Sequence, residues 1–435
     1  MTYFLIGDSI TLTLLIVLIF IFAYYVWVIY DSFISSKWKF NDLNFSYNLR
    51  TNNIFRRLGM PGPAPIPILG EMFNVMRKSM EGVTGIMEYG LTGLKYEQWK
   101  NARSIVSPVF STTKLKAMYG LINEISDMYN KRLLEYADKQ EIFDVKILNG
   151  QYTLDNIASC LFGIETNSLQ NENITLVNHL KKFFSFSAAN LFLLVFFFSH
   201  RLARHLSEKG YSMVPRDTMN YFTQLFNQIL ARRRQYLERR NDFIQMMIDH
   251  EEEVKHEEQV EKQERQSEIV KKTLNDKEIL GQALVFLVAG YETTSVLISF
   301  FFYVMATEPV IQEKVYNEIR QELGDDEVTY EKLSQLQYLD MVINETLRMY
   351  PPFTRFLPTE KAKRHPMTYL PFGDGPRNCI GMRFALLEAK LAIVKALRLV
   401  EIQKCDKTEI PVQLGQLTVL SSKNPICLRV VRRSQ

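Results

Sequence analysis

The chain has 435 residues, of which 47% are hydrophobic and 23% charged, and its formal net charge is +4. This composition is typical of a globular protein with a large core, and so small a net charge gives no reason to expect a nucleic-acid partner. Its four cysteines show neither a CxxC pair nor a framework spacing, which favours a reducing compartment over a secreted, disulfide-rich domain.

The N-terminal segment is a predicted transmembrane helix. Residues 9–30 carry no charge, and the run is long enough to cross a hydrocarbon core. Lys37 and Lys39 follow it closely, so the positive-inside bias places the rest of the chain in the cytosol. A cleaved signal peptide is the alternative, but the basic n-region and the small-residue cleavage site are both missing. We therefore expect a single-pass signal anchor, followed by a linker at 31–58.

Helical spacing of apolar residues predicts helices over 114–163 and 217–250. Between them lies an apolar, phenylalanine-rich segment at 183–198. It fits buried core, the wall of an apolar pocket, or a surface that dips into a membrane equally well. Glu, Lys, Gln and Arg dominate 249–273, which predicts a solvated helix or loop.

A long helix is predicted from about Asp276 to Glu308. Asn275 and Glu278 have the spacing of a capping box at its start, and Pro309 ends it. The helix is apolar on nearly every face, so it should be central and buried. Shorter helices are predicted over 310–323 and 339–350.

Inside this helix, Ala289 and Gly290 form a small pair that precedes Glu292 and Thr293. Glycine lowers helix stability, and an acid in so apolar a setting needs a partner. The pattern therefore indicates either a functional site or a helix kink with a satisfied acid.

Cys379 lies in a glycine-rich turn two residues after Arg377, just before an apolar helical stretch. A helix N-terminus favours a thiolate, and we expect Gly375 and Gly381 to permit tight turns that bring amide donors to the sulfur. A thiolate so placed can ligate iron and promote O–O cleavage. The alternative is a buried cysteine packed as a small hydrophobe, which suits Cys160, Cys405 and Cys427 better.

The pattern formed by Phe372, Gly375, Arg377, Cys379 and Gly381 resembles the haem-binding signature of the cytochrome P450s. The resemblance implies a mainly α fold, with a helical haem domain at 59–435 and a small β-sheet. It also implies haem b as cofactor, with Cys379 as its axial iron ligand.

The resemblance assigns roles to residues elsewhere in the chain. Ala289 and Gly290 would leave room for dioxygen, and Glu292 and Thr293 would relay protons to it. Three further residues would hold the haem propionates, and three would form a structural lock near the cysteine: Trp99, Arg103 and Arg377 for the first group, and Glu345, Arg348 and Arg355 for the second.

By the same resemblance, the activity is that of an animal microsomal monooxygenase that inserts one oxygen atom from O2 into apolar substrates. Electrons would come from NADPH-cytochrome P450 reductase, with cytochrome b5 as a second partner. Lys100, Lys114 and Lys116 are expected to form a cationic docking face. The expected location is the endoplasmic reticulum membrane.

The chain departs from the family pattern at two places, where segments are expected to be missing: near 90–95 and near 352–355. Their loss would remove most of the small sheet and part of the pocket wall. The gaps favour the alternative hypothesis, a non-catalytic membrane-anchored remnant or a transcript or gene-model variant, whereas the intact Cys379 and Glu292-Thr293 motifs favour the enzyme.

Overall fold

The computed structural model describes residues 85–170, 175–184, 214–264, 273–352, 369–415 and 419–433. The predicted anchor at 9–30, the linker at 31–58 and most of the 183–198 segment lie outside these residues. Within them the fold is mainly helical, as predicted, and a short 3-10 helix at Gly85–Tyr89 precedes the first α-helix.

The helices are α1 (Tyr96–Val106), α2 (Thr112–Lys139), α3 (Val145–Phe162), α4 (Thr175–Phe184), α5 (Arg216–Arg234), α6 (Phe243–Glu264), α7 (Asp276–Thr307), α8 (Pro309–Leu323), α9 (Gln337–Met349) and α10 (Met382–Leu399). The strands are β1 (Phe143–Asp144), β2 (Val400–Lys404) and β3 (Cys427–Arg432).

Helix α7 is the central helix of the fold, and its predicted bounds are confirmed. The Asn275 side chain accepts a hydrogen bond from the Glu278 amide (3.0 Å), and the Glu278 carboxylate accepts one from the Asn275 amide (2.9 Å), so the predicted capping box is present. Among the described residues, α7 is the one helix apolar and long enough to cross a membrane. Because 83% of its most apolar window is buried inside the protein, it has the character of a core helix.

Two of the predicted helices are each divided into two helices in the structure. The 114–163 span divides into α2 and α3, because Gln140 takes a left-handed conformation (φ 53°) and β1 then pairs with β3. The 217–250 span is interrupted between α5 and α6, where a buried ion pair joins Arg233 to Asp242 at 2.7 Å.

The described strands form one antiparallel sheet with the order β1-β3-β2. Its register pairs Phe143 with Leu428 and Ile402 with Val430, and all four side chains are buried. This small sheet beside a large helical core agrees with the predicted fold class.

Candidate active site

The loop at 372–381 is closed by its own backbone. The Cys379 amide donates to the Phe372 carbonyl (2.8 Å), and the Asn378 amide donates to the Gly375 carbonyl (3.1 Å). Gly375 has φ +75°, the left-handed region in which glycine is favoured, as predicted. Gly381 lies in a turn with φ −87°, and its amide donates to the Cys379 sulfur, as expected. Gly381 also serves as the N-cap of α10.

Cys379 is an exposed residue, although neighbouring atoms partly desolvate its thiol. This desolvation raises the pKa of Cys379 above its ordinary value. The amides of Gly381 and Met382 and the Arg103 guanidinium lower the pKa and so favour the thiolate. Amide donors at the helix start thus reach the sulfur, as the sequence predicted.

Helix α1 brings two of the predicted propionate residues against this loop. The Arg103 guanidinium donates to the Asn378 side-chain oxygen at 2.9 Å. The Arg377 guanidinium stacks over the Trp99 ring, 4.4 Å from its centroid, and Trp99 itself is buried. Sequence reasoning missed Asn378, which no motif position singles out but which fixes Arg103 beside the cysteine.

One face of α7 is turned towards the cysteine loop through a chain of aromatic contacts. The Phe286 ring of α7 meets Phe110 edge-on at 5.4 Å, and Phe110 approaches Gly381 of the loop. On the following turns, Ala289 is exposed and Thr293 is half-buried, although most of the helix is buried. These two residues are four apart, and the Thr293 hydroxyl donates to the Ala289 carbonyl at 2.7 Å. Phe110 was not predicted as a site residue.

Gly290 lies at the contact between α7 and α3. A Cβ at this position would lie 2.6 Å from Cδ1 of Ile157, which is closer than a Cβ atom approaches a non-bonded neighbour in real proteins. The close approach of α3 is therefore one reason for a glycine at this position.

Glu292 is nearly buried and has a specific partner. Its carboxylate lies 2.7 Å from the Lys146 ammonium at the start of α3. Both side chains line a cavity of about 280 Å³ together with Asp144 and Ser295. Glu292, the acid predicted to need a partner, thus has one. Nothing in the sequence around Lys146 indicated that it would be this partner.

The structure describes two of the three residues of the predicted structural lock. Arg348 makes a bidentate contact with Glu345, including a 2.6 Å bond from Nε, and both side chains are exposed. The Tyr369 hydroxyl donates to the carbonyl of the adjacent Asn344 at 2.6 Å. Arg355, the proposed third member, lies outside the described residues.

These residues fit a haem. A haem of this type needs a thiolate ligand, cations for its carboxylates and a small-residue surface on the opposite side. The loop supplies a thiol with amide donors around it, α1 supplies Arg103, and α7 supplies the exposed Ala289. Within the described residues, no cluster of three or more His, Cys, Asp or Glu side chains is arranged to hold a metal ion.

Comparison with known proteins gives the same assignment. The family model for cytochrome P450 matches residues 69–354 and 352–430. Cytochrome P450 3A18 of Rattus norvegicus is 30% identical to the chain, over 90% of the chain and 96% of the relative. Cytochrome P450 3A5 of Homo sapiens is 30% identical over 90% and 95%.

The alignment with the rat protein is 489 positions long, but only 90% of the 435 residues of this chain take part in it. The relative therefore carries roughly 100 residues without a counterpart here. This fits the expectation of missing segments, whose positions stay a prediction. The enzyme, not the non-catalytic alternative, is favoured by matches that cover nearly the whole of both chains. The chain belongs to the cytochrome P450 family and is a haem-thiolate monooxygenase that works with a redox partner on small-molecule substrates.

Proposed function

We propose that Cys379 is the axial ligand of the haem iron and that oxygen is activated on the side facing α7. The observation that carries this proposal is the position of Cys379. This exposed residue lies on a loop closed by the 2.8 Å hydrogen bond from its amide to the Phe372 carbonyl, and two amides at the helix start donate to its sulfur. Iron coordination would deprotonate the thiol outright, which offsets the desolvation that raises its pKa.

The haem, once bound, supplies the chemistry of oxygen activation, and the chain's own residues position it and move protons. Arg103 and Trp99, with Arg377, would hold the propionates, since a guanidinium fork matches a carboxylate. Arg103 is already oriented by Asn378. Phe372, Gly375 and Gly381 would shape the loop around the ligand.

Proton delivery falls to Glu292 and Thr293 in this proposal. The Thr293 hydroxyl donates to the Ala289 carbonyl, so its lone pairs remain able to accept a hydrogen bond from water on the exposed face. Glu292 and Lys146 form an ion pair beside a cavity. A carboxylate that can exchange its ammonium partner for water could pass a proton along α7 to Thr293. Ala289 and Gly290 would complete the oxygen side of the site.

The electron donors that we propose are NADPH-cytochrome P450 reductase and cytochrome b5, docked on a cationic face. Lys100 is exposed on α1 beside the cysteine loop. Lys114 donates to Asn241 at 2.6 Å, and Lys116 pairs with Glu331 at 2.7 Å, so these two cations are partly engaged within the protein. Because Glu331 partly cancels the charge of Lys116, we expect Lys100 to contribute most to the docking face.

We further propose that residues 9–30 anchor the chain in the endoplasmic reticulum membrane and that 31–58 link the anchor to a cytosolic haem domain at 59–435. Apolar substrates would reach the site from lipid. The family match divides at 352–354, which supports one missing segment near 352–355. We place the other near 90–95.

Reconstituted turnover tests the proposal. The purified full-length protein, mixed with NADPH-cytochrome P450 reductase in lipid, is expected to consume NADPH and hydroxylate members of a panel of lipophilic substrates. Cys379→Ser should abolish product formation, and Cys427→Ser is the matched control that should leave it unchanged. Equal turnover by the wild type and Cys379→Ser would refute the assignment of the ligand.

A further inference from the structure

Two cysteines remote from the candidate active site are neighbours at one end of the small sheet. The register of β2 and β3 ends with the pair Lys404 and Leu428, and Cys405 and Cys427 are the next residues at that end of the two strands. The Cys405 sulfur lies 3.5 Å from the Cys427 carbonyl oxygen. Directly opposed residues of antiparallel strands have Cα atoms about 4.5–5.5 Å apart, and a disulfide requires about 4.4–6.8 Å. A ladder continued by one step would therefore bring the two cysteines to a spacing that suits a disulfide.

The two cysteine backbones are fixed relative to each other by Thr408. Its hydroxyl accepts a hydrogen bond from the Cys405 amide (2.8 Å) and donates one to the Cys427 carbonyl (2.7 Å). The Thr408 amide in turn donates to the Cys405 carbonyl (2.9 Å). One side chain thus bridges the end of the ladder and holds the pair in register, which lowers the entropy lost when the two sulfurs join.

Both thiols are accessible, unlike that of Cys160. Cys405 and Cys427 are partly exposed, whereas Cys160 is buried. Partial burial raises the pKa of Cys427 above its ordinary value, with a further contribution from Asp144, while the Lys407 ammonium acts in the opposite direction. The neighbouring Cys405 also raises the pKa of Cys427.

We propose that Cys405 and Cys427 are a modification site at which a small-molecule disulfide, of the glutathione disulfide class, introduces a reversible intramolecular disulfide. One protein thiolate attacks a sulfur of the oxidant, forming a mixed disulfide and releasing one small thiol. The second protein thiolate then attacks the protein-side sulfur and releases the other small thiol. Two protein thiols are oxidised and one disulfide is reduced to two thiols, so the electrons balance without the haem.

The disulfide would close the segment from 405 to 427, which contacts the central helix. The Tyr303 hydroxyl of α7 donates to the Glu409 carbonyl at 3.2 Å and accepts from the Val412 amide at 3.1 Å. A cross-link at the base of this segment restricts the unfolded chain. The oxidised protein is therefore expected to unfold at a higher urea concentration than the reduced protein.

The test is mass spectrometry of the purified, haem-containing full chain after equilibration with glutathione buffers of increasing disulfide-to-thiol ratio. Free thiols are alkylated and the protein is digested with trypsin. We expect a cross-linked species that joins the peptide 405–407 to the peptide 424–429, and its fraction should rise with the oxidant ratio and fall after addition of a reductant. Cys160 should stay in the alkylatable, reduced form throughout.

Single variants separate this disulfide from ordinary glutathione adducts. In Cys405→Ser, Cys427 should carry glutathione or stay reduced, and the urea midpoint should no longer respond to the oxidant; Cys427→Ser should behave likewise. The proposal is overturned if the wild type shows only single glutathione adducts, or if both cysteines stay alkylatable at every ratio. The readouts are peptide masses and urea midpoints, not haem content or turnover, so the outcome can be told apart from failure of the Cys379 assignment.

Discussion

At the scale of single residues, Glu388 on α10 stands out, because its side chain is 1% exposed and is ionisable. Burial holds the pKa of this carboxyl well above its ordinary value of 4.5, and the nearby Thr294 hydroxyl opposes the rise only in part. Tyr152 and Cys160 share its surroundings, and the Tyr152 hydroxyl donates to the Glu388 backbone carbonyl at 2.9 Å. The folded protein therefore keeps Glu388 protonated at a pH at which the unfolded chain has released the proton.

A pH-dependent loss of stability follows from Glu388. The raised pKa means that its contribution to the free energy of unfolding is complete below about pH 4.5 and is lost as pH rises towards the folded pKa. Replacement of Glu388 by Gln removes this dependence. We expect the free energy of unfolding of Glu388→Gln, relative to the wild type, to increase by up to about 1.4 kcal/mol per pH unit above pH 5.

Urea titrations of both proteins at pH 5, 6, 7 and 8 measure this difference directly. Because every other titrating group is shared, the difference isolates Glu388. If the two stability curves run parallel across this range, Glu388 is not held protonated by the fold.

The ion pair between Lys146 and Glu292 is the second residue-scale feature that can be tested. Lys146→Met leaves a nearly buried carboxylate without its partner at 2.7 Å, which is expected to lower the free energy of unfolding by about 1–3 kcal/mol. Glu292→Gln added to Lys146→Met should restore part of that loss, because the unpaired charge is gone. The effect is read from denaturant midpoints.

Lys182→Met is the matched control, since Lys182 pairs with Asp217 at the same distance of 2.7 Å but both side chains are more than half exposed. An exposed pair is screened by water, so this control should change stability far less. An equal loss in the two variants would contradict the special status of the buried pair.

At the scale of elements, the contact between α7 and α3 depends on a glycine. Gly290→Ala would place a Cβ 2.6 Å from Ile157, a buried side chain, and should lower the free energy of unfolding by about 1–3 kcal/mol through overpacking. Gly120→Ala on the exposed face of α2 is the control. No atom lies within 4 Å of its added Cβ, so alanine should stabilise that helix by about 0.5–1 kcal/mol.

The measurement is the free energy of unfolding of both alanine variants in the same buffer. Ile157→Val added to Gly290→Ala should recover part of the loss, because it removes the clashing Cδ1 atom. Opposite signs for the two glycines are the expected outcome. Stabilisation by Gly290→Ala would mean that α3 shifts to accommodate the added Cβ at no cost in stability. Packing would then not explain the glycine.

Element boundaries were predictable where local residues set them. The bounds of α7 follow from the capping box at Asn275 and Glu278 and from Pro309, all of which act within a few residues. The break between α2 and α3 was missed because β1 forms by pairing Phe143 with Leu428, a residue far along the chain. Apolar spacing on either side of the break is helical and gives no sign of that partner.

At the scale of the whole molecule, the motif-bearing part of the candidate site could be proposed from the sequence because its residues are contiguous. The loop around Cys379 and the segment from Ala289 to Thr293 each contain a motif that can be recognised from consecutive residues. Lys146, Phe110 and Asn378 were not predictable, because tertiary packing selects them and each is an ordinary residue in its local context. Their partners Glu292, Phe286 and Arg103 lie on other elements.

We propose that this chain still binds haem through Cys379, although it lacks counterparts for roughly 100 residues of its aligned relative. The most direct test is the optical spectrum of the purified, reduced protein with carbon monoxide. We expect the red-shifted Soret band of a thiolate-ligated haem, lost in Cys379→Ser and retained in Cys427→Ser. Absence of haem absorbance in the wild type, or a Soret band typical of a neutral ligand, would contradict it.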